Sequence, residues 1–545
     1  MYLIAIKRQK NTFFSLNFTN LSETFSVSDQ TLSKTFEIDI QNPIANSLSA
    51  QVVAYPSLVG SILAGLAGIL REPHGCFEQT TSATFPNILV LQLMRENQVY
   101  KPEIEQKALS MIDAGYKRLI SFECKTGGFE WFGQDPGHEG LTAYGLLEFA
   151  EMQKVYGNVD KEMIARTTKW LHERTDGNGN FVLNMKAVDG FSKANKGVID
   201  PFVIYAMSEI GDKGFEKELR TCYSAAMKEN HPYMAGLVAN SLLNYGKKEE
   251  AALILAKMWH DLQPFDNENT YTACGSSGKG YKVEAYSLAM MAFLKNESLE
   301  SEKIQTCLQY LIQARLGNGH FGNASATVMA LRALIAYQQK YKPVVPANGV
   351  MNLYVDGQKT SSKTFQTQTG QSIVLNDFGK ALSQGKHTIR LEFEGISAAI
   401  PVTFSAKWAK ISPPSAEKCL IDMDTKFLAN TAKMGETLRL QTTISNKTNE
   451  LLPMTIAEIP LPSGLSAQPW QLKELQEKGA FDFYEMRENT LVVYYRCMQA
   501  AEVKTFSLDL KTEFTGTFGA AAASAYLYYT PEYKDWVSGG RVSVF

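Results

Sequence analysis

At 545 residues the chain is too long for a single hydrophobic core, and its length predicts three or four domains. Apolar residues at 45% and charged residues at 20% are ordinary for soluble globular protein. A formal charge of -2, with Lys and Arg spread along the chain instead of gathered in a stripe, excludes a nucleic-acid footprint.

Residues 1–10 (MYLIAIKRQK) set apolar residues before basic ones and no apolar stretch follows, so a signal peptide is not expected there. A chain opening this abruptly is consistent with a fragment, or with the C-terminal product of a longer gene. Up to residue 50 the texture is strand-like, as in Lys34-Thr35-Phe36-Glu37-Ile38-Asp39-Ile40, where apolar and polar residues alternate. The longest apolar run, 58–70, contains Ser and Gly and is too short to span a bilayer, so it reads as a buried helix and no transmembrane segment is expected.

From 51 to 342 the periodicity becomes helical, with apolar residues recurring at three and four over 85–94, 141–152, 198–210, 234–243, 251–259, 284–294 and 324–337. Within this block a Gly-rich turn ending in an aromatic recurs: Gly127-Gly128-Phe129, Gly177 to Phe181, Gly275 to Tyr281, and Gly317 to Phe321. Repeats some 40 to 50 residues apart predict helix pairs that bury their apolar faces only against neighbouring pairs, and a closed set of them predicts an α/α toroid. The stretch Gly317-Asn318-Gly319-His320-Phe321-Gly322 matches a dinucleotide fingerprint in letters, but a helix and not a strand is expected before it. Gly275 to Gly280 fails as a phosphate loop because Gly280 stands where Ser or Thr must hold magnesium. From 343 to 545 strand texture returns, with an Asp356-Gly357 hairpin turn after 350–355 and further strands over 387–393, 437–444, 490–495 and 523–529. The β flanks therefore form domains separate from the helical array.

The seven cysteines, scattered and without a C-x-x-C pair, disfavour a zinc site, and neither metal nor cofactor is expected. Their odd number leaves at least one thiol unpaired, for which Cys76 is the candidate, while Cys419 and Cys497 are expected in strands and able to pair. Cys76 lies in Pro73-His74-Gly75-Cys76-Phe77-Glu78-Gln79, at the start of a helix that Pro86 is expected to delay. Residues three apart share a face of a helical turn, so the Cys76 thiol and the Gln79 carboxamide can meet. Loss of ammonia would join them as a thioester, an acyl group far more electrophilic than an amide because thiolate is a good leaving group. Such a bond survives only in a dry setting, to which Phe77 contributes. The plainer reading is a buried cysteine opening a helix, with Gln79 at a capping position and Glu78 in the first turn.

Three further features have a plain reading beside a chemical one. His74 could assist proton transfer to sulfur, or be a turn residue. Asp135, His138 and Glu139 offer acid and imidazole, but precede a helix where capping explains them. Tyr526, Tyr528, Tyr529 and Tyr533 give the last domain an aromatic surface or ordinary sheet packing.

The residues around the motif resemble the alpha-2-macroglobulin and complement thioester family. The match covers Ala54-Tyr55-Pro56-Ser57, the run from Leu63 to Ser82 (LAGLAGILREPHGCFEQTTS), Gly127-Gly128-Phe129-Glu130-Trp131, and Leu141-Thr142-Ala143-Tyr144. The resemblance implies a multidomain α and β chain. An α/α-toroid thioester domain (51–342) would be inserted in a small CUB-like β-domain (1–50 and 343–410). A C-terminal macroglobulin-like, receptor-binding-like β-sandwich (411–545) would follow, its aromatics helping to shield the thioester. It also implies the reactive region of a broad-spectrum protease inhibitor, extracytoplasmic, which links an attacking protease through lysine amines to Gln79. That act happens once per molecule and is not enzymatic turnover. The family's N-terminal macroglobulin domains and protease-cleaved bait segment have no counterpart in these residues. Phe77 replaces the glycine of vertebrate members and places the chain in the bacterial-type branch. Asn184 stands where hydroxyl-preferring members carry a relay histidine, which implies direct attack by amines. Two other readings are an α/α-toroid lyase or cyclase, and an adhesion or scaffold module in which the thioester never forms.

Overall fold

The computed structural model describes the chain apart from residues 1–11, 14–16, 28–32, 45, 55–68, 97–100, 185–195, 268–269, 297–300, 317–318, 342–346, 368–372, 377, 396–399, 411, 529 and 532. The basic start at 1–10, most of the apolar run 58–70, and Tyr529 thus lie outside the described residues; Ile69 and Leu70, at the end of that run, are buried.

Among the described residues the helical block holds α1 (Phe77–Glu96), α2 (Pro102–Ile120), α3 (Glu139–Gln153), α4 (Lys161–His172), α5 (Lys196–Glu209), α6 (Glu216–Ala226), α7 (Pro232–Asn244), α8 (Lys248–Leu262), α9 (Gly278–Lys295), α10 (Ser301–Ala314) and α11 (Ala324–Lys340). The odd helices α1, α3, α5, α7, α9 and α11 each pack on the next, and α11 returns to α1, closing an inner ring. The even helices α2, α4, α6, α8 and α10 back them from outside. The inner helices are apolar around most of their circumference because they touch neighbours on every side, as in α3, where nearly every residue is buried. The outer helices need only one apolar stripe. α4 buries Met163, Thr167 and Leu171, spaced four apart, and carries Lys161, Glu162, Arg166 and Lys169 on its exposed side.

Pro86 does not delay the first helix. α1 begins at Phe77 and runs through it. A mid-helix proline costs about 3 kcal/mol or more in isolation; here the helix is buried from Phe77 to Met94 apart from Ser82, and tertiary burial offsets that cost.

The recurring Gly-rich turns are small hairpins that feed the inner ring. Gly127 and Gly128 (φ +97° and +72°) and Gly177 and Gly179 (φ +72° and +92°) take the left-handed region, closing β-bridges of Glu123 with Phe129 and of Thr175 with Phe181. The aromatic is buried and its backbone N–H donates to a polar side chain of the next inner helix. Phe129 donates to Thr142 at 2.8 Å, Phe181 to Asp200 at 3.4 Å, and Phe321 to Thr327 at 3.0 Å. The Gly275 to Tyr281 turn departs from the expected repeat, because Tyr281 already lies inside α9, stacked on Phe265. The helix α10 before Gly319 removes the dinucleotide reading there.

Strands from both sides of the toroid make one small β-domain. Asn17–Val27, Ile400–Lys410, Ser49–Ala54 and Ile373–Leu375 form one sheet; Ser33–Ile40, Gly385–Glu394, Ala347–Val355 and Gln358–Thr367 form the other. They enclose a core that includes Ile38, Val52, Leu353, Ile389, Phe404 and Trp408. Asp356 and Gly357, both at positive φ, turn the Ala347–Val355 hairpin as the sequence predicts.

The last domain packs a sheet of Ile421–Phe427, Thr437–Asn446, Val503–Thr512 and Leu465–Ser466 against a five-stranded sheet ordered Phe483–Arg487, Thr490–Tyr495, Thr455–Pro460, Ala523–Leu527 and Lys534–Val537. Thr12–Phe13 adds in parallel to the edge strand Gly516–Gly519 of a smaller sheet in the same domain. The Cys419–Cys497 pairing that the sequence leaves open is not made: both are free thiols. Cys419 precedes its strand and turns its sulfur toward the carbonyls of Ile421 and Ala525, while Cys497 follows its strand and faces the Gln499 amide.

Candidate functional site

The turn at Gly75 leads directly into α1. Gly75 has φ +72°, and a Cβ placed there would stand 1.6 Å from Gln79 Oε1, so the carboxamide occupies the space a side chain would need. Thr80 N–H donates to the Cys76 carbonyl at 2.9 Å, closing the first helical turn, and that turn sets Cys76 and Gln79 three apart on one face. The Cys76 backbone N–H donates to Gln79 Oε1 at 3.2 Å. Gln79 Nε2 points instead at the Met454 sulfur, 3.8 Å away, a weak acceptor that leaves the nitrogen lightly held. Oε1 is the atom that would persist as the acyl oxygen of a thioester, and an N–H aimed at it stabilises the negative charge of a tetrahedral intermediate. Cys76 and Phe77 are fully buried and Gln79 is 2% exposed.

The walls come from three elements. Phe77 packs on Phe129, with ring centroids 4.9 Å apart, and edge-on to Phe122; its N–H donates to the Trp131 carbonyl. Glu78 accepts the Trp131 indole N–H at 2.8 Å, which turns the predicted first-turn acid into a buried anchor for the Gly-rich hairpin. The roof is the C-terminal domain. Met454 and Tyr528 join the toroid's core, and the Tyr528 N–H donates to the Met454 carbonyl, so the two cover residues are tied to each other. Burial pushes the Tyr528 phenol well up, with Glu78 and Cys76 adding to the effect. Tyr526 is also buried and donates its hydroxyl to Glu458 at 3.2 Å, in the same small cluster against which Tyr528 packs.

His74 sits at the rim, where its Nδ1 lies 2.8 Å from Arg487 Nη2 and 3.9 Å from Glu485. Burial first, then the Arg487 charge, push its imidazole down to about 4, which keeps it neutral near pH 7. Asn184 is held on the neighbouring loop. Its N–H donates to Glu139 at 2.7 Å and its side-chain amide to the Pro136 and Gly137 carbonyls. The Asp135 to Glu139 segment has the capping role its position predicts. His138 Nδ1 accepts from Leu141 N–H at 3.2 Å, burial holds the imidazole down near 3, and Asp135 accepts from Thr126. Met454, Arg118, Glu485 and Arg487 belong to the site without any motif to announce them; each is separated from Cys76 by tens to hundreds of residues.

A cavity of about 580 Å³ opens between the inner helices, lined among others by Gln92, Glu151, Glu209, Lys295 and Arg332. Arg332 on α11 crosses to α5, where it bonds the Tyr205 hydroxyl and pairs with Glu209 at 2.7 Å. Among the described residues no His, Cys, Asp or Glu cluster has metal-holding geometry, and no helix is long and apolar enough to cross a membrane.

A closed ring of helix pairs set between a two-part β-domain and a terminal β-sandwich defines a macroglobulin-type thioester-domain architecture. The A-macroglobulin TED domain model matches residues 52–337, more than half of the chain, and the A-macroglobulin receptor binding domain model matches 451–536. The chain belongs to the alpha-macroglobulin family. It is 23% identical to ovostatin of Gallus gallus over 393 residues, which span 67% of this chain and 26% of that protein. Its fold matches native alpha-2-macroglobulin from Escherichia coli spanning domain MG7 to the C-terminus, with TM-score 0.73, 15% identity, and coverage of 97% of this chain and 82% of that one. It also matches Salmonella alpha-2-macroglobulin reacted with methylamine, with TM-score 0.71, 13% identity, and coverage of 97% and 34%. The chain thus spans about a quarter of the ovostatin length it matches.

Proposed function

We propose that this chain is the reactive region of a protease inhibitor, in which a Cys76–Gln79 thioester covalently captures an attacking protease through a lysine amine. The observation that carries the reading is the pairing of Gln79 with Cys76 at the head of α1, dry and roofed by Met454 and Tyr528 of another domain. In formation, Cys76 sulfur attacks Gln79 Cδ, ammonia leaves, and a C–S bond replaces C–N. In capture, an amine attacks the same carbon, the C–S bond breaks, and the amine's proton passes to sulfur as Cys76 becomes a thiol. Neutral His74, two residues before Cys76, would be the group that passes this proton on. Phe77, Glu78 and Trp131 keep water out and fix the turn. Asn184 cannot act as a nucleophilic relay in the way an imidazole does, which favours direct aminolysis. Capture happens once per molecule, and the protease-sensing segment and further macroglobulin domains would be supplied by a longer protein in an extracytoplasmic compartment.

Intact mass with thiol titration tests this. The native chain should weigh about 17 Da less than its sequence, and methylamine should add about 31 Da while releasing one thiol. Cys76→Ala should show neither change. A native mass equal to the sequence value with a freely titratable Cys76 would overturn the reading. Methylamine is the reagent with which the Salmonella relative was treated.

A further inference from the structure

We infer that Glu485, on the C-terminal domain, is a positioning residue that clamps the Gly75 peptide and thereby sets how fast amines reach the Cys76–Gln79 bond. The inference rests on the thioester reading above and adds a specific restraint to it.

Both polar groups of Gly75 are gripped by charged side chains from different domains. Its N–H donates to Glu485 Oε2 at 2.9 Å, and its carbonyl accepts from Arg118 Nε at 2.9 Å. Arg118 and Glu485 face each other at 3.6 Å, so the peptide is enclosed in a ring of charge-assisted bonds. Glu485 Oε1 in turn accepts from Arg487 Nε and the Tyr494 hydroxyl, each at 2.6 Å. Arg487 reaches His74 and lies 3.7 Å from Glu458. The Glu485 side chain is 14% exposed, and its carboxyl is held below the usual range despite burial, Arg487 being the largest stabilising cause. The carboxylate is thus charged, oriented and largely dry, the condition in which such a bond is strong.

The target of the grip is what separates it from ordinary interface adhesion. Gly75 is the residue whose missing Cβ leaves room for Gln79 Oε1, and it precedes the N–H that holds that oxygen. Fixing the Gly75 peptide therefore fixes the acyl oxygen against the Cys76 amide and keeps the loop folded over the acyl carbon. Because Glu485 travels with the C-terminal domain, any movement of that domain away from the toroid pulls the carboxylate off Gly75. Arg118, on α2, stays behind. The loop then loses one of its two restraints at the moment Met454 and Tyr528 uncover it.

The test measures thiol release by methylamine in the full chain, for the unaltered protein, Glu485→Ala, Glu485→Gln and Arg496→Ala. Arg496 makes another contact across the same interface, pairing with Glu130 and lying over Phe132, without touching Gly75. Glu485→Ala should react at least about tenfold faster, because losing a charge-assisted bond from the covering loop raises the share of open conformations that admit the amine by about that factor. Glu485→Gln, which keeps an acceptor oxygen for Gly75 N–H, should stay within about threefold of the parent, as should Arg496→Ala. If Glu485→Ala fails to fold, Arg118→Ala, which removes the donor to the Gly75 carbonyl, carries the same expectation from the toroid side. Equal rates in Glu485→Ala and the parent, or an equal acceleration in Arg496→Ala, would overturn the clamp while leaving the thioester intact. A parent chain that carries its full sequence mass and releases no thiol would overturn the thioester reading, and the clamp with it.

Discussion

The Tyr528 hydroxyl donates to the Ser82 hydroxyl oxygen at 2.8 Å, joining residues 446 positions apart. Ser82 stands on α1 three residues, just under one turn, beyond Gln79, in the segment that the family resemblance marks as reactive. The bond therefore fixes the aromatic ring over the site from the side of the helix, while the Tyr528 N–H ties it to Met454 from the side of the sheet.

If that ring is the shield, its loss should matter more than the loss of its hydroxyl. Tyr528→Phe keeps the ring and should raise the methylamine rate by about two- to threefold, the cost of one neutral hydrogen bond at the lower end of about 0.5–1.5 kcal/mol. Tyr528→Ala opens the roof and should raise it by about tenfold or more, with spontaneous hydrolysis rising in step. The check is thiol release over time with and without amine. An alanine variant as slow as the parent would exclude Tyr528 as cover.

Gly75→Ala should abolish bond formation. A methyl group at φ +72° costs about 1–2 kcal/mol in the backbone alone, and its Cβ would fall 1.6 Å from Gln79 Oε1, so the carboxamide must leave. The variant should show the unmodified mass and an alkylatable Cys76 after gentle unfolding. Recovery of the parent's mass deficit would contradict this account of the turn.

Glu284 gives the toroid a pH-dependent stability. It is buried in α9, its Oε1 accepting from Ser276, from Ser325 at 2.9 Å and from Thr272 at 3.3 Å; burial raises its carboxyl to about 7 from 4.5, against the pull of those hydroxyls. Between those two values the folded chain holds a proton that the unfolded chain has released, so stability falls as pH rises through that window. The loss should be on the order of 3 kcal/mol. Glu284→Gln keeps the shape and should flatten this part of the curve in urea melts at pH 5, 6, 7 and 8. An unchanged slope would mean that Glu284 titrates normally.

Arg332 is structural. Its guanidinium pairs with Glu209 and lies 3.6 Å from Glu151, and it is 7% exposed. Arg332→Ala leaves Glu209 to Lys295 and the Asn244 amide and should destabilise the toroid by about 3–5 kcal/mol. In the protein that still folds at low temperature, thiol release by methylamine should be unchanged. A variant of full stability, or one with altered amine reactivity, would refute this assignment.

The sequence periodicity identified all six inner helices but, of the outer ones, named only α8 and the α10 run before the Gly317 motif. The reason lies in burial. Inner helices such as α3 are apolar on nearly every face, whereas α4 and α6 carry one stripe among charged residues, which local pattern reading passes over. Pro86 was read by its local cost, yet α1 runs through it because packing on both sides outweighs that cost. Cys419 and Cys497 looked pairable from their strand-like neighbours, but sequence carries no information on where a sulfur points, and each faces its own local partners.

What the sequence alone determined is local in origin. Gly75 permits the turn, three residues of helix bring Cys76 to Gln79, and alternating residues make the strands. These depend on backbone geometry within a few positions, so they are written in a few adjacent letters. The closure of α11 onto α1, the Met454 and Tyr528 roof and the Glu485 grip were decided by the tertiary structure. Their partners lie hundreds of residues away and obey no period, and only the packing of the C-terminal sheet on the toroid brings them to Cys76.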